Sequence, residues 1–308
     1  MTFKKLLEMW LKEKSNYVKE STYAYYDFEV RNYIVPCLGH LSLEEITEER
    51  IQETVLLWQN QGMNNGHPLK KSTVQNLTVL LKQVLKYGAR KKVMADMNLT
   101  IQFAVQPQMN KRKVFDVNEQ RRLIQAVLSD LNNKTFGILL CLNSGLRIGE
   151  LCALKWEDID IDNGVLHVTK TLQRIYDRRQ HGKTEIIITS PKTVTSVRDV
   201  PISKRVLSII SMLPQREGAH YILTNSARYT EPRRFRQFYK EFLIKNEIDE
   251  LHFHCLRHTF ATRCIEGGAD YKSVSEILGH TTIHTTLNMY VHPQMEEKRK
   301  CVEMVNWE

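Results

Sequence analysis

The chain has 308 residues, 42% of them hydrophobic, and carries 44 Lys and Arg against 35 Asp and Glu, a formal net charge of +9. That length exceeds what one core usually fills, so two domains are expected, and the positive balance favours a polyanionic partner such as nucleic acid. Against other classes stand the charges within the opening Met-Thr-Phe-Lys-Lys-Leu-Leu-Glu, the lack of any apolar run near the roughly 20 residues of a membrane span, and six scattered cysteines without a Cys-x-x-Cys pair; the expectation is a cytoplasmic protein with reduced thiols and no membrane contact.

In chain order, the first hundred residues predict a small helical bundle. Phe3, Leu6, Leu7, Trp10 and Leu11 form one helical stripe. Tyr23, Tyr26, Val30, Tyr33 and Ile34 form a second, with Ser21 as its cap and Pro36 as its end. A third helix follows Thr47, with Ile51, Val55 and Leu56 inward, and a fourth follows Ser72, with Val74, Leu77, Leu81, Val84 and Leu85 inward. The last runs into Lys86, Arg90, Lys91 and Lys92, positive charge suited to a helix C-terminus. Arg90, Lys91 and Lys92 are candidate DNA-binding residues, with a solvated helix end as the plainer alternative.

Periodicity fails from Gln106 to Val114, where Pro107 and the Lys111-Arg112-Lys113 run describe a basic linker and add three more candidate DNA contacts. The expected organisation is a helical DNA-binding domain over 1–105, the linker over 106–114, and a second domain over 115–308. Asp116 and Glu119 form a capping box for a helix with Leu123, Ile124 and Val127 inward. Strands are expected over Trp156 to Ile161, Val165 to Leu172, Glu185 to Thr189 and Val197 to Ile202, with Asn163-Gly164 as a hairpin turn, together one small antiparallel sheet. Helices return near Ser203, which makes the fold class mainly α with a small β insert.

Four separated pieces carry chemistry. In Gly-Leu-Arg-Ile-Gly-Glu-Leu, Gly145 places Arg147 at a helix N-terminus, where amides and dipole favour an anion. Its planar guanidinium can grip two phosphate oxygens, and Glu150 can hold that guanidinium; a surface ion pair is the alternative. In His-Cys-Leu-Arg-His-Thr, a spacing of three puts His254 and Arg257 on one helical side, a proton-transfer group beside a second phosphate clamp. Leu-Gly-His supplies His280, and Tyr290 follows ten residues later. A tyrosine titrates near pH 10 and becomes a nucleophile only where its phenolate is stabilised or its proton taken. Apart from the other three pieces, Tyr290 would be an ordinary core aromatic.

Together, Gly-Leu-Arg-x-x-Glu-Leu, His-x-Leu-Arg-His-Thr and Leu-Gly-His with a downstream tyrosine resemble the signature of the tyrosine recombinases, the phage integrase family, and the Thr-Thr-Leu-Asn-x-Tyr context is similar to integrases of Gram-positive phages and conjugative elements. The resemblance implies a helical SAM-like core-binding bundle followed by an α+β catalytic domain. It further implies site-specific recombination of double-stranded DNA with neither metal nor other cofactor. Tyr290 would attack the scissile phosphate to give a 3′-phosphotyrosyl link, with Arg147, Arg257 and His280 stabilising charge and His254 assisting proton movement. The family also uses a lysine between two strands of the catalytic sheet; Lys192 in Ser-Pro-Lys-Thr is the matching position, with Lys183 and Lys170 as rivals. A homotetramer on two DNA sites is implied, as are accessory DNA-bending or directionality factors. The amphipathic tail with Cys301, Val302, Met304, Val305 and Trp307 would dock on a neighbouring protomer or pack within its own chain. Many relatives carry an additional N-terminal arm-binding domain, and the sequence opens directly on the core-binding bundle.

Other readings remain open at this point. His254 with His258, and His280 with His284, have a zinc-ligand spacing, but Cys255 stands where a zinc protease has its glutamate. A DNA-binding protein that kept the scaffold without the chemistry, and a type IB topoisomerase, are the remaining alternatives.

Overall fold

A computed structural model describes residues 1–63, 66–104, 114–177, 183–190, 196–214, 216–290, 299 and 302–303, with backbone alone at 288–290. The chain forms two compact units, Met1–Asn110 with Arg174–Glu185, and Lys111–Gln173 with Ile186–Glu308.

The first unit is a helical bundle of α1 (Phe3–Lys14), α2 (Glu20–Glu29), α3 (Val35–Leu38), α4 (Glu48–Asn60) and α5 (Lys71–Arg90). The α1 stripe is buried as the 3.6-residue period requires: Phe3, Leu6, Leu7, Trp10 and Leu11 all face the core. With Ile51, Val55 and Trp58 of α4 and Leu77, Leu81 and Val84 of α5 they make one continuous cluster. α5 starts at Lys71 with Lys70 as its cap, ahead of Ser72, and three further details differ from the sequence expectation. First, α2 begins at Glu20 with Lys19 as its cap. Second, Pro36 does not end the helical path: a wide π turn over Val30–Ile34, where Val35 N–H reaches back to the Val30 carbonyl, leads into α3 with the proline in its first turn. Widening the turn moves aside the carbonyl that a proline ring would otherwise strike. Third, Leu56 is 39% exposed, because five residues beyond Ile51 is about 140° around the helix, whereas Thr54, Val55 and Trp58 stay on the buried face.

The basic end of α5 is not bare. Lys91 Nζ lies 2.9 Å from Glu13 on α1, Arg90 pairs with the same carboxylate, and both cations lie over the Tyr87 ring at 5.4 and 5.5 Å. Lys111, Arg112 and Lys113 lie outside the described residues.

In the second unit, α6 (Val117–Ser129) opens on the expected capping box, with Asp116 and Glu119 exchanging backbone bonds of 2.9 Å. After it come α7 (Asn133–Ser144), apolar nearly all round and buried, and the short α8 (Ile148–Ala153). The strands of the chain are β1 (Ile159–Asp160), β2 (Val165–Val168), β3 (Thr171–Tyr176), β4 (Thr184–Thr189) and β5 (Arg198–Pro201), of which the end of β3 and the start of β4 fall in the Arg174–Glu185 segment of the first unit. They form two sheets rather than one, with order β1-β2-β5 and β3-β4. In the first, β2 pairs antiparallel with β5 from Val165↔Pro201 to Val168↔Arg198. The strands before and after Lys192 therefore belong to different sheets: β4 returns against β3, and β5 against β2. Lys192 itself lies outside the described residues.

The unit closes with α9 (Lys204–Ser211), α10 (Pro232–Lys245), α11 (His254–Glu266), α12 (Tyr271–Leu278) and α13 (Ile283–Tyr290). Phe136, Leu140, Leu151, Leu166, Val200, Phe235, Leu243 and Leu256 join α7, α8, β2, β5, α10 and α11 in one core, and Ala261, Val274 and Leu278 make a smaller cluster between α11 and α12. Among the described residues no helix is long and apolar enough to cross a membrane, and Cys37, Cys141, Cys152, Cys255 and Cys264 are in no disulfide. Of the C-terminal tail, Val302 and Glu303 are described as helical and exposed; Cys301, Met304, Val305 and Trp307 lie outside the described residues.

Candidate active site

The site is organised by two left-handed glycines. Gly145 (φ +64°) ends α7, and a Cβ there would come within 2.7 Å of Leu278 and Phe260, so only glycine permits the close approach of α11 and α12. The chain then turns to make Arg147 the N-cap of α8. Gly279 (φ +64°) ends α12 in the same way, and the His280 N–H donates to the Ser275 carbonyl at 3.0 Å, which fixes where His280 leaves the helix.

The last carbonyls of a helix lack intrahelical partners and form the negative end of its dipole. At α12, three successive ones are taken by three different arginines. Arg198 Nε donates to Ile277 at 2.5 Å, Arg257 Nη2 to Leu278 at 2.7 Å, and Arg147 Nη2 to Gly279 at 3.1 Å. Arg257, 1% exposed, also donates to the Gly145 carbonyl at 2.7 Å, tying both glycine turns together. Three like charges are thereby gathered into one place.

Glu150 supplies the compensating charge. Only 2% exposed, it accepts from Arg147 Nη1 at 2.8 Å, from the Arg147 backbone N–H at 2.9 Å, and from Arg198 Nη1 and Nη2 at 3.2 and 2.9 Å. Burial alone would raise its pKa, but the Arg198 hydrogen bonds and the charges of Arg198 and Arg147 outweigh that and hold it below the usual carboxylate range. One anion against three cations leaves a net positive pocket, the electrostatic form of an anion site.

Two imidazoles feel that field. His254, at the start of α11, keeps an exposed edge, yet its pKa is lowered to about 4, first by desolvation against the protein atoms around it and then by Arg257, Arg147 and His252. His280 is lowered to about 4 by burial and then by Arg257, Arg147, Arg198 and His254. Both are neutral at physiological pH, so His254 can accept a proton. His254 and His258 rings meet edge to face at 4.6 Å, and among the described residues no group of three His, Cys, Asp or Glu side chains could hold a metal ion.

Of the residues expected from the sequence, Arg147, Glu150, His254, Arg257 and His280 therefore converge. Tyr290 is the last residue of α13, and its side chain lies outside the described residues, as does Lys192. Two residues of the same constellation escape the motif reading. Arg198, whose side chain is 6% exposed, is one; its signal was parity, since it shares the inward face of its strand with buried Val200. Thr286 is the other, fully buried with its Oγ1 2.8 Å from His280 Nδ1; an i, i+4 relation to Tyr290 was its signal.

Comparison with known proteins identifies the family and the fold. Residues 113–297 match the phage integrase family, and residues 2–59 match the N-terminal SAM-like domain of phage integrases. A XerC-like tyrosine recombinase of Caldanaerobacter subterraneus is 28% identical over 99% of this chain and 83% of its own length. The ICEBs1 integrase of Bacillus subtilis is 26% identical over 64% of this chain, which spans 55% of that relative. The Tn1549 transposon integrase, solved in complex with transposon right end DNA, superposes with a TM-score of 0.80 at 23% identity over 99% of both chains, a likeness of fold.

Proposed function

The chain belongs to the phage integrase family, and on that premise we propose that it is a tyrosine-type site-specific recombinase that cuts and rejoins duplex DNA to integrate and excise a mobile element. The observation that carries the reading is the capture of Arg147, Arg198 and Arg257 by three consecutive carbonyls of one helix end, beside two neutral histidines. Such an array is fixed before substrate arrives, so stabilising a pentavalent phosphorane costs no reorganisation.

In this reading the Tyr290 oxygen forms the new bond to phosphorus and the bond to the 5′ oxygen breaks. His254 takes the phenol proton, Arg147, Arg257 and His280 donate to the non-bridging oxygens, and Lys192 protonates the departing 5′ oxygen. The product is a 3′-phosphotyrosyl ester. Bond energy is kept in that ester, so a 5′ hydroxyl from a partner duplex can reverse the step without ATP. The fixed cations supply the charge stabilisation, and the reading calls for no divalent ion. Residues 1–105 would act as the core-binding domain, with Arg90, Lys91, Lys92, Lys111, Arg112 and Lys113 as phosphate contacts that make binding salt-dependent. Because one site cuts one strand, exchange between two duplexes calls for a homotetramer, with the C-terminal tail docking on a neighbour and accessory DNA-bending or directionality factors as further partners.

The test is selection of covalent adducts. The protein is incubated in EDTA with a random-sequence library of nicked duplexes, and detergent-stable complexes are recovered. We expect a nucleotide-modified peptide containing Tyr290 and none from Tyr290→Phe; adducts that persist in Tyr290→Phe would overturn the assignment.

A further inference from the structure

His280 is anchored through its backbone, but its ring has a separate requirement. A neutral imidazole carries one N–H, and a phosphoryl oxygen can only accept. Were the proton on Nδ1, Nε2 would turn a lone pair toward the substrate. The doubly protonated ring, which would avoid the choice, is opposed by Arg257, Arg147 and Arg198. Which nitrogen holds the proton therefore depends on whether the partner of Nδ1 donates to it or accepts from it.

That partner is the Thr286 hydroxyl, 2.8 Å away in a fully buried position. Thr286 also lies on α13, four residues before the helix ends at Tyr290, so positions 286 and 290 share a helical face. One hydrogen bond thus joins the His280 turn to the helix that carries the nucleophile. Resting on the phosphoryl-transfer reading above, we propose that Thr286 is a positioning residue: its hydroxyl donates to Nδ1, keeps His280 as the Nε2–H tautomer able to donate to a phosphoryl oxygen, and docks the Tyr290 helix against that ring.

Three full-length variants decide it: Thr286→Val, which keeps the shape and removes the hydroxyl; Thr286→Ser, which keeps the hydroxyl and removes the methyl; and His280→Ala. Each is assayed for single-turnover adduct formation on a nicked duplex of the sequence recovered in the selection. The scissile 5′ oxygen is also replaced by sulfur, a leaving group that departs without protonation. Nitrogen-15 spectra of the histidines report the His280 tautomer in the absence of DNA.

For Thr286→Val we expect adduct formation to slow about tenfold, equally on oxygen and sulfur substrates, because phosphate stabilisation and alignment are impaired and leaving-group protonation is not. Thr286→Ser should stay within about threefold of the wild type. In the wild type, Nδ1 should resonate as an unprotonated acceptor. An Nδ1–H tautomer, a Thr286→Val protein that reacts at the wild-type rate, or a Thr286→Ser protein as slow as Thr286→Val would overturn the proposal. If His280→Ala is slow while Thr286→Val is normal, only this inference falls. Should the wild type form no adduct, the functional reading falls with it.

Discussion

Glu150 and Glu13 each hold two cations, and they do opposite things. Glu150, 2% exposed, grips Arg147 and Arg198 and fixes both relative to the end of α12. Glu13, at the surface of the helical bundle with its side chain 27% exposed, meets the exposed Arg90 and Lys91, and its carboxyl is held below the usual range first by the Lys91 hydrogen bond. In water such a cluster is screened, and its partners exchange readily for other anions. Out of water every donor must be satisfied and the geometry is fixed. The first arrangement makes a preorganised reaction site, the second a set of cations that can be handed to a DNA backbone.

The sharpest way to break the contrast is Glu150→Gln. It leaves two guanidiniums, one of them buried, without their counter-charge, and should cost about 3–5 kcal/mol of stability and slow adduct formation about a hundredfold or more. Urea unfolding and single-turnover assays measure both, and an unchanged unfolding midpoint would contradict the buried-pair account. Next is Arg198→Lys, which keeps the charge but cannot span both Glu150 oxygens and the Ile277 carbonyl. We expect about a tenfold slower reaction with DNA affinity unchanged in gel-shift titrations.

The field of the buried cluster sharpens the comparison through pH. His254 and His280 titrate near 4 in the folded protein, below the ordinary value of about 6.5. Adduct formation by free enzyme should therefore stay level from pH 7 to 5 and fall only toward 4. For stability the sign is the same: the unfolded chain takes up these protons first, so their contribution is complete above about pH 6.5 and is lost as pH falls toward 4. An inflection in the rate near 6.5 would show that neither burial nor the guanidiniums hold these imidazoles neutral.

The smallest effect is expected from Glu13→Gln. Stability should not change measurably, while DNA binding at low salt tightens several-fold, because Arg90 and Lys91 lose a competing anion. If this variant bound DNA more weakly, those cations would not be phosphate contacts.

Helices with a clean period were legible in the sequence: the α1 stripe and the Asp116–Glu119 box stand as expected. Leu56 departs from the expected face because its angle around α4, not its hydrophobicity, decides its burial, and Pro36 does not end the helical path because a wide turn absorbs it. The single expected sheet became two, since alternation marks strands but not where a pair of them breaks. In the site, Arg147, Glu150, His254, Arg257 and His280 were marked by their motifs. Arg198 and Thr286 were not, because each acts through a partner far off in sequence or through a single atom. No local pattern could announce that three arginines share one helix end.

The central claim is that these groups surround one phosphate in line with Tyr290. A structure of the protein with its DNA site and vanadate tests it most directly. We predict five-coordinate vanadium bonded to the Tyr290 oxygen, with Arg147, Arg257 and His280 Nε2 within about 3 Å of its equatorial oxygens. Vanadate bound away from Tyr290, or held by a metal ion in place of the two arginines, would contradict the account.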